Sequence, residues 1–322
     1  MGQLAHEYRI ERYTAGKQAE WDCFVDASRN GTFLHKRGYM DYHAHRFADH
    51  SLMFYHNEAL VAILPAHIKE DCFCSHNGLT YGGILLADNT TTAEVLCLFD
   101  KAKEYILANT AATKLIYKPT PHIYHRYPCE EDLYALFRYN ATITERKASS
   151  AIPLGNPLPI SGRRKLTSSV ISHLNIIEDG ELPIFWHILE ERLKSKYGVV
   201  PVHSIEEITL LKERFPENIK LFCVADDKGT ILGGVVLFVT DKVVHMQYSA
   251  TTEEGRRISA LDYLYEELIN NRFADKGYFD FGISVENGGL YLNEGLIAYK
   301  ERMGGRAVVY DTYIVDLKEN CR

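Results

Sequence analysis

Two stretches of this chain carry the same pattern, and that repetition limits the fold more than any single motif does. Residues 51–69 (SLMFYHNEALVAILPAHIK) and 221–239 (LFCVADDKGTILGGVVLFV) each read as an apolar run, a short polar turn and a second apolar run. Such a pair predicts a β-hairpin, and in the second copy Asp227, Lys228 and Gly229 supply the turn chemistry. A further strand is expected after each hairpin, at Gly78–Leu86 and at Val243–Ser249. Apolar residues then recur at helical spacing, first over Glu94–Ala108 (Val95, Leu98, Phe99, Ala102, Tyr105, Ile106) and again over Ser259–Phe273 (Leu261, Leu264, Tyr265, Leu268, Ile269). Strands follow at Lys114–Lys118 and Tyr278–Ile283. Each copy closes with a polar loop, a short helical stretch (Glu131–Tyr139; Asn293–Met303) and a β-rich tail (Ala141–Leu154; Ala307–Leu317). One order of elements used twice predicts a duplicated α/β domain. The proline-punctuated segment Pro153–Ser161 is its natural joint, dividing the chain into 1–152 and 153–322.

The 322 residues suffice for two domains of about 150 residues, and 46% hydrophobic residues give each half a core to bury. A net charge of −7 supplies no bulk attraction for a phosphate backbone, so DNA is not an expected partner. The opening MGQLAHEYRI has no basic segment leading into an apolar run, and no stretch approaches the ~20 apolar residues of a membrane span. A cytoplasmic protein is expected. Seven cysteines without paired spacing fit reduced thiols. Cys72 and Cys74 with His76, and His43, His45 and His50, invite a metal, but the cysteines lack the second pair of a structural zinc site and the i, i+2 spacing of the histidines suits a strand better than the helix their segment suggests, so none is expected.

The order strand, strand, strand, helix, strand, helix, strand resembles that of a GNAT domain. YFDFGIS followed by NEGLIAYKERMGG is similar to the strand, loop and helix that carry the acyl end of the donor in that superfamily, with Asn293 opening the helix and Gly304 and Gly305 closing it. Lys300 stands where single-domain acetyltransferases often place a tyrosine, as in the Fem-type (FemAB-like) members. GRRKLTSSV, FWHILEERLKSKYGVVPVHS and LLKERFPENIKLFCV are similar to the Fem arrangement before the central sheet, and NGTFLHKRGYM and LTYGGILL to its first domain. The resemblance implies an α/β (α+β) chain of two tandem GNAT-type domains, each a mixed twisted sheet flanked by helices. It implies an acyltransferase with no tightly bound cofactor, taking acyl-CoA, or alternatively aminoacyl-tRNA, as co-substrate. The acceptor would be a small molecule or cell-envelope precursor bound by a monomer or homodimer. A binding protein that has kept the scaffold without the chemistry is the third alternative.

In a GNAT site the donor enters a gap where two parallel strands splay, and its phosphates meet the N-terminus of the next helix, where backbone N–H groups and the dipole favour anions. The corresponding segment here is SATTEEGRRISAL, in which Arg256 and Arg257 with Ser259 and Ala260 match the usual glycine-rich string only in part. These four and Asn293 are the expected donor-binding residues. The expected catalytic residues are Lys300, to stabilise developing negative charge, Tyr248, at the end of its strand, and Asp280. A carboxylate in the apolar run YFDFG either points into the cleft as a base or pairs within the structure, because an unpaired buried charge is costly. The resemblance implies that His35, Lys36, Tyr81 and Arg164 face the acceptor. The aromatic loop Pro119–Pro128 either stacks on a ligand or plugs the first domain's cleft.

Overall fold

The computed structural model describes residues 8–157 and 167–319. The first hairpin forms as the sequence requires: Leu52–His56 pairs antiparallel with Ala59–Leu64 around Asn57 and Glu58, whose φ angles of 48° and 67° turn the chain with the twist a hairpin favours. Tyr8–Arg12 and the two-residue strand Leu85–Leu86 complete a four-stranded sheet. Helix Thr92–Asn109 starts with a capping box, Thr91 accepting from the Glu94 N–H while the Glu94 carboxylate accepts from the Thr91 N–H at 2.7 Å. Its apolar stripe, Val95, Leu98, Phe99, Ala102 and Ile106, enters the first core with Phe54, Leu64, Leu115 and Tyr117.

The chain divides into two compact units. The first runs to Ala148 and also takes Val285–Tyr291 and the tail from Val309; the second holds Ser149–Ser284 and Leu292–Val308. This differs from a single cut after residue 152. The reason lies in pairing: the terminal strand Arg306–Asp316 returns to the first unit, with Tyr313 opposite Tyr117 and Ile314 opposite Ile116. One expected strand is reduced to its end. Of Gly78–Leu86 only the last two residues are extended, while an unexpected pair of three-residue strands, His67–Lys69 and Cys72–Cys74, precedes it.

In the second unit the strand order is Leu174–Glu178, Ile219–Asp226, Ile231–Val239, Val243–Thr251, Tyr278–Ile283 and the end of Thr142–Pro153. All neighbours are antiparallel except Val243–Thr251 with Tyr278–Ile283, which are parallel. Helix Ala260–Glu267 and the turn Leu268–Arg272 bury Leu264, Tyr265, Leu268 and Ile269 against Val235, Leu237, Phe279 and Phe281. Helix Leu182–Tyr197 also packs on the sheet, at Ile231–Val239 and Val243–Thr251. Gly234 permits that approach, since a Cβ there would stand 3.0 Å from the Phe185 ring. The two expected helices Glu94–Ala108 and Asn293–Met303 thus become Thr92–Asn109 and Glu294–Arg302, and the strand Tyr278–Ile283 forms with the expected bounds.

Several imidazoles in the first unit are enclosed, among them His35, His67 and His76. Burial holds His35 and His67 down at about 4, and burial with the neighbouring His43 and His67 holds His76 down at about 2. The unfolded chain therefore binds protons that the folded one refuses, below roughly pH 6.5. Their contribution to stability is complete above that pH and is lost as pH falls toward 4, by up to about 1.4 kcal/mol per pH unit for each group. The urea midpoint should be lower at pH 5 than at pH 7.5; an unchanged midpoint would contradict the enclosed neutral imidazoles.

Candidate functional site

The two parallel strands of the second unit share only three rungs, Val243↔Tyr278, Val244↔Phe279 and His245↔Asp280. Beyond them the strands run on to Thr251 and Ile283 with no further rung between them among the described residues. Both strands carry an irregularity at that point. Gln247 is an extra residue between Met246 and Tyr248, which oppose the adjacent residues Leu237 and Val236. On the other strand the register jumps between Asp280 and Ile283, and Gly282 takes φ +74°, a conformation that costs a glycine little and a side-chain-bearing residue much. Two bulges immediately past the last shared rung bend the strands apart. The residues His245–Ser249 are half-buried throughout, as expected for a strand bordering an opening.

Asp280 stands at the apex and is fully enclosed. Its Oδ1 accepts from the Ser149 hydroxyl at 2.5 Å and from the Gly282 N–H at 2.9 Å, and its Oδ2 lies 2.9 Å from His245 Nδ1. The carboxylate thus pairs within the structure, with a histidine, a serine and a backbone amide. Lys300 projects from helix Glu294–Arg302 onto the same bulge. Its ammonium is buried and donates to the carbonyls of Gly282 at 2.8 Å and Ile283 at 2.7 Å. Burial lowers its pKa to about 8, and the charge of Asp280 opposes that loss. The helix is fixed by Asn293, whose side chain accepts from the Leu296 N–H at 3.1 Å and whose own N–H donates to Ser284 at 3.0 Å.

Tyr248 points to the opposite face of the sheet from helix Ala260–Glu267. Its hydroxyl lies 2.6 Å from His203 Nδ1 and accepts from the His203 N–H at 3.2 Å, while the Trp186 ring meets it edge-on at 5.2 Å. Burial raises its pKa. Its neighbour Ser249 faces the helix and meets the Tyr265 hydroxyl at 2.5 Å.

The expected donor segment forms two short helices, Glu253–Arg257 and Ala260–Glu267, joined through Ser259. Ser259 has φ +60°, so a serine adopts the left-handed turn that a glycine would ordinarily supply. Ala260 is enclosed at the start of the second helix. The arginines are engaged elsewhere: Arg257 makes a two-pronged pair with Glu254 at 2.6 and 3.0 Å, and Arg256 stands 3.4 Å from Glu253, all four largely in solvent.

In the first unit His35 is enclosed, its Nδ1 accepting from the Thr32 N–H at 3.1 Å, and Tyr81 is enclosed beside it, donating to the Thr32 hydroxyl at 3.2 Å. Lys36 pairs with Asp26 at 2.8 Å on the surface. Arg164 lies outside the described residues. The first unit's own parallel pair, Cys72–Cys74 with Lys114–Tyr117, also has three rungs, but the chain beyond them is stitched shut. The Ser75 N–H donates to Ile116, the Lys118 N–H to the Ser75 hydroxyl and the Gly82 N–H to Lys118, at 2.8–2.9 Å. From the aromatic loop, Thr120 adds a hydrogen bond to the Gly82 carbonyl at 3.0 Å. The loop therefore helps to close the position that stands open in the second unit.

His245, Ser149 and His203 were not among the residues expected from sequence. A lone histidine in VVHMQYS and a serine in KASSA carry no local signal; their partners lie 35 and 131 residues away.

Residues 162–301 match the acetyltransferase (GNAT) domain family. Among solved structures, the crystal structure of FemX superposes with a TM-score of 0.65 at 13% identity, covering 94% of this chain and 96% of that one. L-PGS from Bacillus licheniformis superposes at 0.55 with 9% identity, covering 96% and 94%, and a tandem GNAT protein from the clavulanic acid biosynthesis pathway at 0.52 with 11% identity, covering 98% and 100%. At these identities the likeness is one of fold, a tandem-GNAT α/β fold. No curated protein matches the chain in sequence.

Replacing Lys300 by methionine keeps the bulk of the side chain and removes the donor shared by two carbonyls. Each acceptor left unsatisfied costs roughly 1–3 kcal/mol. With two acceptors affected, a urea denaturation should show a loss of roughly 2–6 kcal/mol for Lys300→Met; stability equal to wild type would mean that the lysine does not hold the bulge.

Proposed function

On the footing that residues 162–301 form a domain of the GNAT acetyltransferase family, we propose that this chain is an N-acyltransferase. It moves an acyl group from acyl-CoA, in the simplest case acetyl-CoA, to the amine of an acceptor such as an amino sugar or a cell-envelope precursor. The observation that carries this reading is the opened parallel pair past His245 and Asp280, bordered by half-buried residues and closed in the first unit. A donor lying in that gap would bring its carbonyl beside the apex, where Lys300 holds a positive charge under two carbonyls, and the bordering strand carries Tyr248 with its hydroxyl against His203 on the other side. Acyl transfer develops negative charge on the carbonyl oxygen, and preorganised donors and charges near it lower the barrier. Arg256, Arg257, Ser259, Ala260 and Asn293 form the donor side of the proposal.

One observation favours a second reading, transfer of an aminoacyl group from charged tRNA. Arg256 and Arg257 are held by glutamates of their own helix, and Glu253 and Glu254 bring negative charge to the segment that a CoA pyrophosphate would approach. A donor anchored through a larger polyanionic surface depends less on that turn.

Calorimetric titration with acetyl-CoA, and separately with free CoA, separates the two. Micromolar binding abolished by replacing both Arg256 and Arg257 with alanine supports the CoA reading; no binding moves the weight to charged tRNA. In turnover assays Lys300→Ala and Tyr248→Ala should each lower kcat by about 10²-fold or more, the scale for losing one electrostatic contact to the transition state. The double arginine variant should instead raise the donor KM, since anchoring of a distant phosphate is uniform binding. No turnover with either donor would leave the chain a binding protein on this scaffold.

A further inference from the structure

The apex of the gap holds an arrangement that the fold alone does not require. His245 occupies the last shared rung, directly beside Asp280, so both side chains leave the same face of the sheet. Asp280 as a carboxylate can only accept hydrogen bonds, and its Oδ1 accepts from Ser149 and Gly282. Its Oδ2, 2.9 Å from His245 Nδ1, therefore takes the imidazole N–H on that nitrogen. In a neutral imidazole this places the lone pair on Nε2. The carboxylate has no exposed surface and is oriented by two further donors, so the imidazole is held in one tautomer and one direction, while its side chain keeps 14% exposure at the edge of the opening. Phe238 opposes His245 and Val236 opposes Tyr248 across the next ladder, which puts His245 and Tyr248 on one face on either side of the Gln247 bulge.

We propose that His245 is the general base of the acyl transfer, with Asp280 and Ser149 as positioning residues that set its tautomer; the inference rests on the acyltransferase reading above. The amine nitrogen of the acceptor attacks the donor's carbonyl carbon, and the new C–N bond forms as Nε2 of His245 takes a proton from that nitrogen. The tetrahedral intermediate then collapses, its C–S bond to CoA (or C–O bond to the tRNA ribose) breaks, and the leaving sulfur or oxygen receives the proton that His245 carries. Amide, free thiol or hydroxyl, and neutral imidazole are the products, with no other reactant needed. A general base contributes about 10²–10⁴-fold to such a step.

The test has a spectroscopic and a kinetic arm. With histidine ring nitrogens labelled and pH about two units above the ordinary histidine value of roughly 6.5, long-range ¹H–¹⁵N spectra should report His245 protonated at Nδ1. In Asp280→Asn, whose amide can offer a donor instead, the proton should move to Nε2; the same tautomer in both proteins overturns the positioning role. Kinetically, thiol release from acetyl-CoA with glucosamine as probe amine, and aminoacyl loss from alanyl-tRNA with the same amine, are compared between wild type and His245→Gln. Glutamine retains a donor for Asp280 but has no basic nitrogen. A kcat reduced about 10²–10⁴-fold at unchanged donor KM, with activity partly restored to His245→Ala by added imidazole, supports the inference. Turnover in wild type that His245→Gln retains overturns the inference and leaves the acyltransferase reading standing. No turnover in wild type with either donor ends that reading and the role of His245 with it.

Discussion

The second unit is organised around a buried carboxylate. Burying a charge is expensive unless partners replace the water it loses, and Asp280 meets that requirement with a hydroxyl, a backbone amide and an imidazole drawn from three neighbouring strands. Satisfying the charge therefore fixes three strands against one another at a single height in the sheet. It also accounts for the neighbourhood of Lys300. A bulged strand leaves carbonyls without ladder partners, and the ammonium that satisfies those of Gly282 and Ile283 is kept charged in a low-dielectric setting by the nearby carboxylate. The bulge, the carboxylate and the lysine form one interdependent group: removing any member exposes the others to an unmet electrostatic cost.

The order of elements was readable because it rests on short-range periodicity. Leu264, Tyr265 and Leu268 fall on one stripe whatever they pack against, and the two hairpins announce themselves by turn residues. Where the reading failed, the failure is local too. LTYGGILL has the apolar content of a strand, but its Gly82 and Gly83 serve a loop whose backbone closes the first unit's parallel pair. The strands His67–Lys69 and Cys72–Cys74 are too short to show any period, and the turn between them depends on Glu70 at φ 54°. The return of the last strand pairs residues 196 positions apart, such as Tyr117 and Tyr313, which leave no trace in either segment alone.

The site was partly legible for a related reason. Asp280 stands out as a charge within an apolar strand, so its importance could be read, whereas its partners could not, since register between distant strands decides them. The arginine pair shows the reverse. Glu253 and Glu254 precede Arg256 and Arg257 by three residues, the spacing of a helical ion pair, so EEGRR already contained the information that each arginine has a carboxylate beside it with which any anion must compete. A motif read for its cations alone omitted the anions that accompany them.

The facing bulges at Gln247 and Gly282 have a further meaning in terms of sheet edges. An ordinary edge strand presents its amide and carbonyl groups outward, where any extended chain can add to them and aggregation begins. Here a stretch of edge lies inside the sheet, its two sides unpaired with each other and each flanked on its outer margin by a bulged antiparallel ladder. Such an internal edge is shielded by the strands on either side of it, so the sheet gains a break in its ladder without adding to the outer margins at which aggregation begins.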